Sequence, residues 1–280
     1  VARLRALVCG HVTLDRFGER LLPGGAAYYA GRALRALGAD VSILTSAGSD
    51  FPREALRGLA AEIVPARATT TFVNVHGPAG RTQRVLAAAP PLDASRLPAA
   101  ARGADLVLLA PVLGETEPRS FLGAAAARTS GLGIQGLVRT VQEGGTVAQP
   151  PAALDGTALA GLDVIFAGED DLRGQGDLAR RLAAAAPIVV LTHGESGCEL
   201  LVRGERRRVG VHPAREVDPT GAGDVFAAGF LFALARGDGP VEAARLGAAA
   251  ASIVVEGLAG ERLDAIGEAF ARARDVPVVG

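Results

Sequence analysis

The chain is predicted to be α/β, with a mostly parallel sheet covered by helices on both faces, on three observations. Short apolar runs, too brief for helices, recur along the chain and alternate with helical segments from end to end. No internal repeat or long linker divides the 280 residues, so the expectation is one domain over 1–280. Forty-nine per cent of the residues are hydrophobic, enough to bury a full core.

Ala6 to Gly10 reads as a buried first strand, and His11-Val12-Thr13-Leu14-Asp15 carries it into a polar loop. Pro23-Gly24-Gly25 precedes a helix from Ala30 to Leu37 that Gly38 stops. Val41 to Ala47 is a second strand. From Glu62 to Ala88 the sequence turns β-rich: Thr69 to Val75 and Arg81 to Leu86 flank the turn His76-Gly77-Pro78-Ala79-Gly80, which predicts a hairpin inside an α/β chain. Ala104 to Pro111 is a strongly apolar strand, Arg119 to Arg128 a helix, and Gln142 to Gly156 a loop rich in Gly, Pro and Gln. Leu162 to Ala167 and Ile188 to Leu191 are further buried strands, and Cys198 to Val211 is a two-strand excursion turning at Arg203-Gly204-Glu205. Helices from Phe226 to Ala235 and Val241 to Val255 are separated by Gly237-Asp238-Gly239-Pro240, and an amphipathic helix from Leu263 to Ala273 closes the chain.

Composition excludes several functions. A net charge of −1 offers nothing to a nucleic acid or an acidic membrane surface. No apolar run approaches the roughly 18 residues of a spanning helix, and Val1 to Arg5 lead straight into a strand, so the expected location is cytoplasmic. Cys9 and Cys198 sit in apolar strand-like segments without metal-ligand spacing and read as buried thiols. All 29 basic residues are Arg. A Walker A loop needs its Lys, so a phosphate clamp here must use Arg or backbone amides.

The most informative stretch is Val217-Asp218-Pro219-Thr220-Gly221-Ala222-Gly223-Asp224, followed by the apolar helix that begins near Val225. Turn chemistry running into a helix start brings the amides of Gly221, Ala222 and Gly223 to a helix N-terminus, where unpaired N–H groups and the helix dipole favour an anion. A carboxylate beside such a site would repel a bound phosphate unless it served to take a proton from an incoming nucleophile, which suits Asp224 to general-base work in phosphoryl transfer. A plain Gly-rich helix cap would account for a shorter match. A dinucleotide fingerprint starting at Gly221 fails at its third position, where Phe226 stands.

Asp218-Pro219-Thr220-Gly221-Ala222-Gly223-Asp224 resembles the C-terminal signature of the ribokinase-like, PfkB-type carbohydrate kinases. The resemblance implies a three-layer α/β/α architecture with a small β lid, built from about 12–22 and 69–88 and often used to form homodimers. It implies Asp224 as the catalytic base and the Gly221, Ala222 and Gly223 amides as the anion hole, with ATP and Mg²⁺ as donor and cofactor. Asp15 stands where the family binds substrate hydroxyls, and Gly24-Gly25 matches its Gly-Gly motif; a solvated loop Asp and a plain turn are the alternatives. Four places beyond Gly25 the family has Asn, and this chain has Tyr29. In the run Gly133 to Arg139, Gln135 and Arg139 are candidate polar contacts to substrate, with a surface role for Arg139 equally open. Gly168, Thr192, Gly194 and Gly197 match nucleotide-contact positions, and Ala248 stands where an Asn often meets adenine. Glu169 and Asp171 are carboxylates for Mg²⁺ or else an acidic helix start. Asp218 and Thr220 match a monovalent-cation site in potassium-activated members, or stiffen the turn.

Ala27-Tyr28-Tyr29, Gln83 to Leu92 and Gly133 to Arg139 are similar to the inositol kinase branch seen in plants, which ranks a cyclitol such as myo-inositol first as substrate, then a ketose or ribose, then a nucleoside. The expected function is ATP-dependent phosphorylation of a small polyol, with no nucleic-acid or membrane partner. A catalytically inactive sugar or nucleotide sensor stays open, because Asn-type contacts are replaced at Tyr29, Gln135, Gly168 and Ala248. A dinucleotide-dependent oxidoreductase is the remote third class.

Overall fold

A computed structural model of the chain describes residues 2–77, 80–152, 154 and 156–279, with the side chains of 74–77, 80 and 81 outside the description. In chain order the regular elements are β1 (Arg5–Cys9), β2 (Thr13–Phe17), β3 (Arg20–Gly24), α1 (Ala26–Ala36), β4 (Asp40–Ala47), β5 (Ala60–Pro65), β6 (Thr70–Gly77), β7 (Gly80–Ala87), β8 (Leu106–Leu109), α2 (Pro118–Ala125) and β9 (Thr129–Gly133). There follow β10 (Thr140–Val141), β11 (Val147–Ala148), β12 (Val164–Gly168), α3 (Glu169–Leu172), α4 (Leu178–Ala185), β13 (Ile188–Thr192), β14 (Cys198–Val202), β15 (Glu205–Val209), α5 (Ala222–Ala235), α6 (Pro240–Val254), α7 (Ala269–Arg272) and β16 (Val278–Val279).

Ten strands form the main sheet in the order β16-β15-β14-β13-β12-β9-β8-β1-β4-β5. The run from β13 to β5 is parallel, and β14, β15 and β16 extend it antiparallel. Strand side chains alternate between faces, and both faces here are covered, which is why the central strands read as unbroken apolar runs. Ala6, Val8, Leu106, Leu108, Val164, Phe166 and Val190 enter one core, with α1, α5 and α6. Leu7, Cys9, Val107, Leu109, Ile165, Val189 and Leu191 enter the other, with α2 and α4. Cys9 and Cys198 are buried and unpaired, and burial pushes both thiols up, Cys198 to about 12.

Helix α5 is buried nearly all round from Val225 to Ala233, because it lies between the sheet and α6. The two helices cross at glycines: a β-carbon on Gly247 would stand 2.8 Å from the Phe226 carbonyl oxygen, and one on Gly229 would stand 3.1 Å from Gly247 Cα.

A second, four-stranded sheet has the order β3-β2-β6-β7, with β2 and β6 parallel and the outer pairs antiparallel. The tip at Pro78 and Ala79 lies outside the described residues.

Three local readings differ. Residues 13–17 form a strand rather than a polar loop, since Thr13 to Arg16 pair on both sides, with β3 and with β6. The segment read as a loop from Gln142 contains β11, which pairs with β10 just before it, and Arg84 of β7 fastens it to the small sheet by donating to the Gly144 carbonyl from Nε at 3.2 Å and Nη2 at 2.7 Å. The last helix is broken into a 3₁₀ stretch over Leu263–Glu268, the single turn of α7 and another 3₁₀ turn over Ala273–Asp275. Gly267, a poor helix former, lies at the break. Strand β5, at the edge of the main sheet, has no buried residue, being exposed at Ala60, Ala61 and Pro65 and half-buried between them, with no clear alternation, and the sequence reading had not separated it. Among the described residues no helix is long and apolar enough to cross a membrane.

Candidate active site

The first turn of α5 organises the site. Gly221 is the N-cap in a left-handed conformation, with φ of 81°, which glycine adopts without strain. Of the three amides expected to converge there, that of Ala222 donates to the Pro219 carbonyl at 3.1 Å, closing the turn. The Gly221 and Gly223 amides have no protein acceptor among the described residues, as the geometry of a helix start requires. Asp218 braces the turn from below. Its Oδ1 accepts from the Thr220 amide at 3.0 Å and hydroxyl at 2.6 Å, and its Oδ2 accepts from the Ala259 amide at 2.9 Å.

Asp224 follows in the same helical turn, half-buried. Burial pushes its carboxyl up to about 7; Arg139 opposes the rise, while the negative charges of Asp171 and Asp15 add to it. Three residues distant from it in sequence, Asp15, Arg139 and Asp171, thus act electrostatically on one carboxyl. Asp15 comes from the middle of β2 in the small sheet, beside Gly24 of β3; a β-carbon on Gly24 would stand 2.2 Å from Asp15 Oδ2. Gly25 caps α1, accepting from the Tyr29 amide at 3.1 Å. Arg139 arrives after the turn that follows β9 and stands half-buried.

Asp171 is buried in the one-turn helix α3, and its Oδ2 accepts from the Gly168 amide at 2.8 Å. Burial raises its pKa, against the pull of that hydrogen bond and of Arg139. Glu169, two residues earlier, is exposed and lies 3.7 Å from His193 Nδ1. The two carboxylates paired in the sequence reading therefore serve different neighbours. No cluster of three or more His, Cys, Asp or Glu side chains shaped for a metal occurs among the described residues. The oxygen donors of Asp171 and Asp224 fit a hard cation that keeps most of its waters, and their mutual repulsion is what such a cation would relieve. Gln135 is exposed at the start of a 3₁₀ turn, apart from this carboxylate cluster in every contact described.

Next to the amides opens a cavity of about 220 Å³ lined by Thr192, Gly194, Gly197, Gly223, Phe226 and Ala248 among others. Gly168 ends β12 beside Thr192 of β13, so the predicted nucleotide positions share one end of the sheet. Gly197 has φ of 87°, and a β-carbon on it would stand 2.2 Å from the Val209 carbonyl oxygen. The walls also include Val211, Ala251 and Val255, with Ser252, whose hydroxyl donates back to the Ala249 carbonyl at 2.7 Å. His212, Ala214 and Glu216 line it too. No periodicity or charge pattern in the sequence marks them.

The model of the pfkB family carbohydrate kinases matches residues 148–260. Inositol 3-kinase of Oryza sativa subsp. japonica is 33% identical over 254 residues, covering 82% of this chain and 61% of that protein. The chain thus spans less than two thirds of the rice protein's length. Cytidine kinase of Thermococcus kodakarensis is 27% identical over 271 residues, covering 87% of this chain and 93% of that protein. Among solved structures, a pyrophosphate-dependent kinase in the ribokinase family, complexed with a pyrophosphate analog and myo-inositol, superposes with a TM-score of 0.76 at 20% identity, covering 94% of this chain and 99% of that one. At that identity the likeness is one of fold.

Proposed function

This chain belongs to the pfkB family of carbohydrate kinases, and from that premise we propose that it transfers a phosphoryl group from ATP to a hydroxyl of a small polyol, a cyclitol such as myo-inositol before a ribose-type sugar or a nucleoside. The observation that carries this reading is Asp224: a carboxyl with a pKa near neutrality, one residue from a free helix-start amide and in the electrostatic reach of Asp15 across the cleft. A base poised near pH 7 suits proton removal from an alcohol at the moment of attack.

In this mechanism Asp15 accepts from acceptor hydroxyls and fixes the ring, as a carboxylate can from two hydroxyls at once. Asp224 takes the proton of the attacking hydroxyl. The Gly221 and Gly223 amides, with Ala222 between them, hold the charge that spreads over the transferring group. Arg139 offsets the negative charge gathered by Asp15, Asp171 and Asp224. Mg²⁺, held by Asp171 and Asp224 largely through water with Glu169 at the margin, would supply charge neutralisation on the phosphates. Asp218 and Thr220 belong to the turn in every contact described, and a potassium effect would have to act on that turn.

The apolar cavity favours a nucleotide donor. Pyrophosphate needs no room for a base, whereas Phe226, Ala248, Ala251 and Val255 offer walls to one. Homodimerisation through the small sheet is part of the same reading, supported by the half-exposed Leu21 and Leu86 on its outer strands; light scattering of a Leu21→Glu variant tests it.

The deciding experiment measures ADP release with ATP and Mg²⁺ against myo-inositol, other cyclitols, ribose, fructose and nucleosides, with and without K⁺, and phosphate release with pyrophosphate in place of ATP. Turnover of a cyclitol with ATP is the expected result. Binding of ATP with no turnover across the panel would instead favour a sensor.

A further inference from the structure

The structure assigns a second ligand site to the end of the main sheet opposite Asp224: a pocket at the C-terminal end of α1 that takes a small phosphorylated polyol, its phosphoryl group on arginines and its hydroxyls on carboxylates.

The cavity measures about 510 Å³, larger than the one beside the helix-start amides, and Arg3, Arg32, Arg35, Asp40 and Asp264 all line it. It opens where the chain enters the parallel strands β4 and β5, whereas the nucleotide positions lie where β12 and β13 end. Helix α1, 11 residues and about 16 Å long, runs from Gly25 at the catalytic end to this pocket.

Two of the arginines are held in place by the chain. The Arg35 guanidinium lies over Gly58, where a β-carbon would stand 2.3 Å from Cζ, and its Nη1 donates to the Arg57 carbonyl at 3.2 Å. Its other N–H groups have no acceptor among the described residues. The usual task of an arginine in a last helical turn is already filled, because the carbonyls of Ala33, Leu34 and Arg35 accept from the amides of Leu37, Ala39 and Gly38. Arg32, with a side chain only 15% exposed, is fixed by Asp264 and by the Ala55 carbonyl, to which Nη1 donates at 3.3 Å. Arg3 meets Asp40 at 3.4 Å in an exposed pair that contributes little.

Three arginines against two aspartates leave a net positive charge in the pocket. Guanidinium forks match phosphoryl oxygens, and positioned ones lose little freedom on binding. Asp40 and Asp264 accept from hydroxyls, which a bare inorganic anion does not bring to them. No aromatic side chain lines the pocket, so a nucleobase finds nothing to stack on. An ester that carries both phosphate and hydroxyls satisfies both signs of charge.

The test adds myo-inositol 1-phosphate, inorganic phosphate, myo-inositol or ATP, each alone, to the wild type, Arg35→Gln and Arg3→Gln. Affinity is measured by calorimetry and location by backbone hydrogen exchange. In the wild type the ester should slow exchange over 36–41 and 57–61, with the other probes ineffective at the same concentration. Arg35→Gln should weaken this binding roughly tenfold and Arg3→Gln roughly threefold, and raised salt should weaken it in all three proteins. Slowing over 221–225 reports the catalytic cleft separately and should survive both substitutions. Because no probe needs to react, the outcome does not depend on whether the chain is a kinase. Arg3→Gln, at an exposed position, keeps the comparison open should Arg35→Gln unfold. No slowing over 36–41 and 57–61, or binding of equal strength in the folded variants, overturns the assignment. Inorganic phosphate acting as strongly as the ester would show an adventitious ion only, and ATP acting more strongly would give the pocket to a nucleotide; either result overturns the phosphorylated polyol.

Discussion

Gly221 and Tyr29 are in such close apposition that no side chain fits between them: a β-carbon on Gly221 would stand 2.3 to 2.6 Å from three atoms of the ring. The residue that caps α5 is thereby held from the side by α1, so the free amides at the helix start are preorganised rather than settled by the ligand.

Gly221→Ala should accordingly fail twice over. The residue sits at φ of 81°, where alanine is strained, and its methyl meets the ring. A loss of at least about 2 kcal/mol in denaturant unfolding is expected. Turnover should fall further than stability explains, because the loop must shift to admit the methyl. Unchanged stability would mean that the ring moves freely.

Asp224→Asn should separate stability from function. Turnover is expected to drop by roughly 10²- to 10⁴-fold. The wild-type carboxyl is raised from 3.8 to about 7 in the folded chain. Below about pH 4 it is neutral folded and unfolded, and costs nothing. Between there and about 7 the unfolded state ionises first, so the wild type loses stability as pH rises. The variant should therefore be more stable by on the order of 1 kcal/mol at pH 8, after allowance for solvent at a half-buried group, with the gap closing near pH 4. A gap of the same size at both pH values would show that ionisation is not its source.

In the wild type, kcat/KM should rise with pH through about 7 as Asp224 becomes a base. Arg139 is the positive charge that holds this value down, against Asp171 and Asp15. Replacing it by Met removes the opposition, so the acid limb of the profile should move towards higher pH, by up to about one unit. A limb that stays in place would take Arg139 out of contact with the base.

Ala248→Leu tests the donor. Ala248 is 5% exposed on α6, in the wall of the apolar cavity. A larger side chain there should raise KM for ATP roughly tenfold and leave the acceptor's KM alone. Should the variant match the wild type with ATP, the base lies elsewhere; should pyrophosphate be the better donor for both, the nucleotide reading fails.

Much of this site was legible because its centre is local. Seven consecutive residues, Asp218 to Asp224, contain the turn, the helix start and the carboxyl, and such a unit folds the same way wherever the chain carries it. The parallel sheet was legible for a related reason: strands buried on both faces leave unbroken apolar runs such as Leu106 to Leu109. Other features were beyond reach. Asp15 looked like a loop residue because its strand is held by partners that come before and after α1, β3 and β6, and pairing leaves no mark in five residues. Glu169 and Asp171 looked equivalent, yet a one-turn helix points them to different neighbours. Tyr29 looked like a lost contact, and only its packing shows a buried hydroxyl without a hydrogen-bond partner among the described residues.

The sequence by itself determined the layered α/β fold, the glycine-rich helix start and the residue types available to it, Arg and backbone amides in a chain without Lys. Those follow from propensity, burial pattern and spacing within a few residues. The tertiary structure alone decided that Asp15, Arg139 and Asp171 act on Asp224, and so that its carboxyl titrates near neutrality. Electrostatic coupling depends on distance through space, and the chain separates these four residues by up to 209 positions, from 15 to 224.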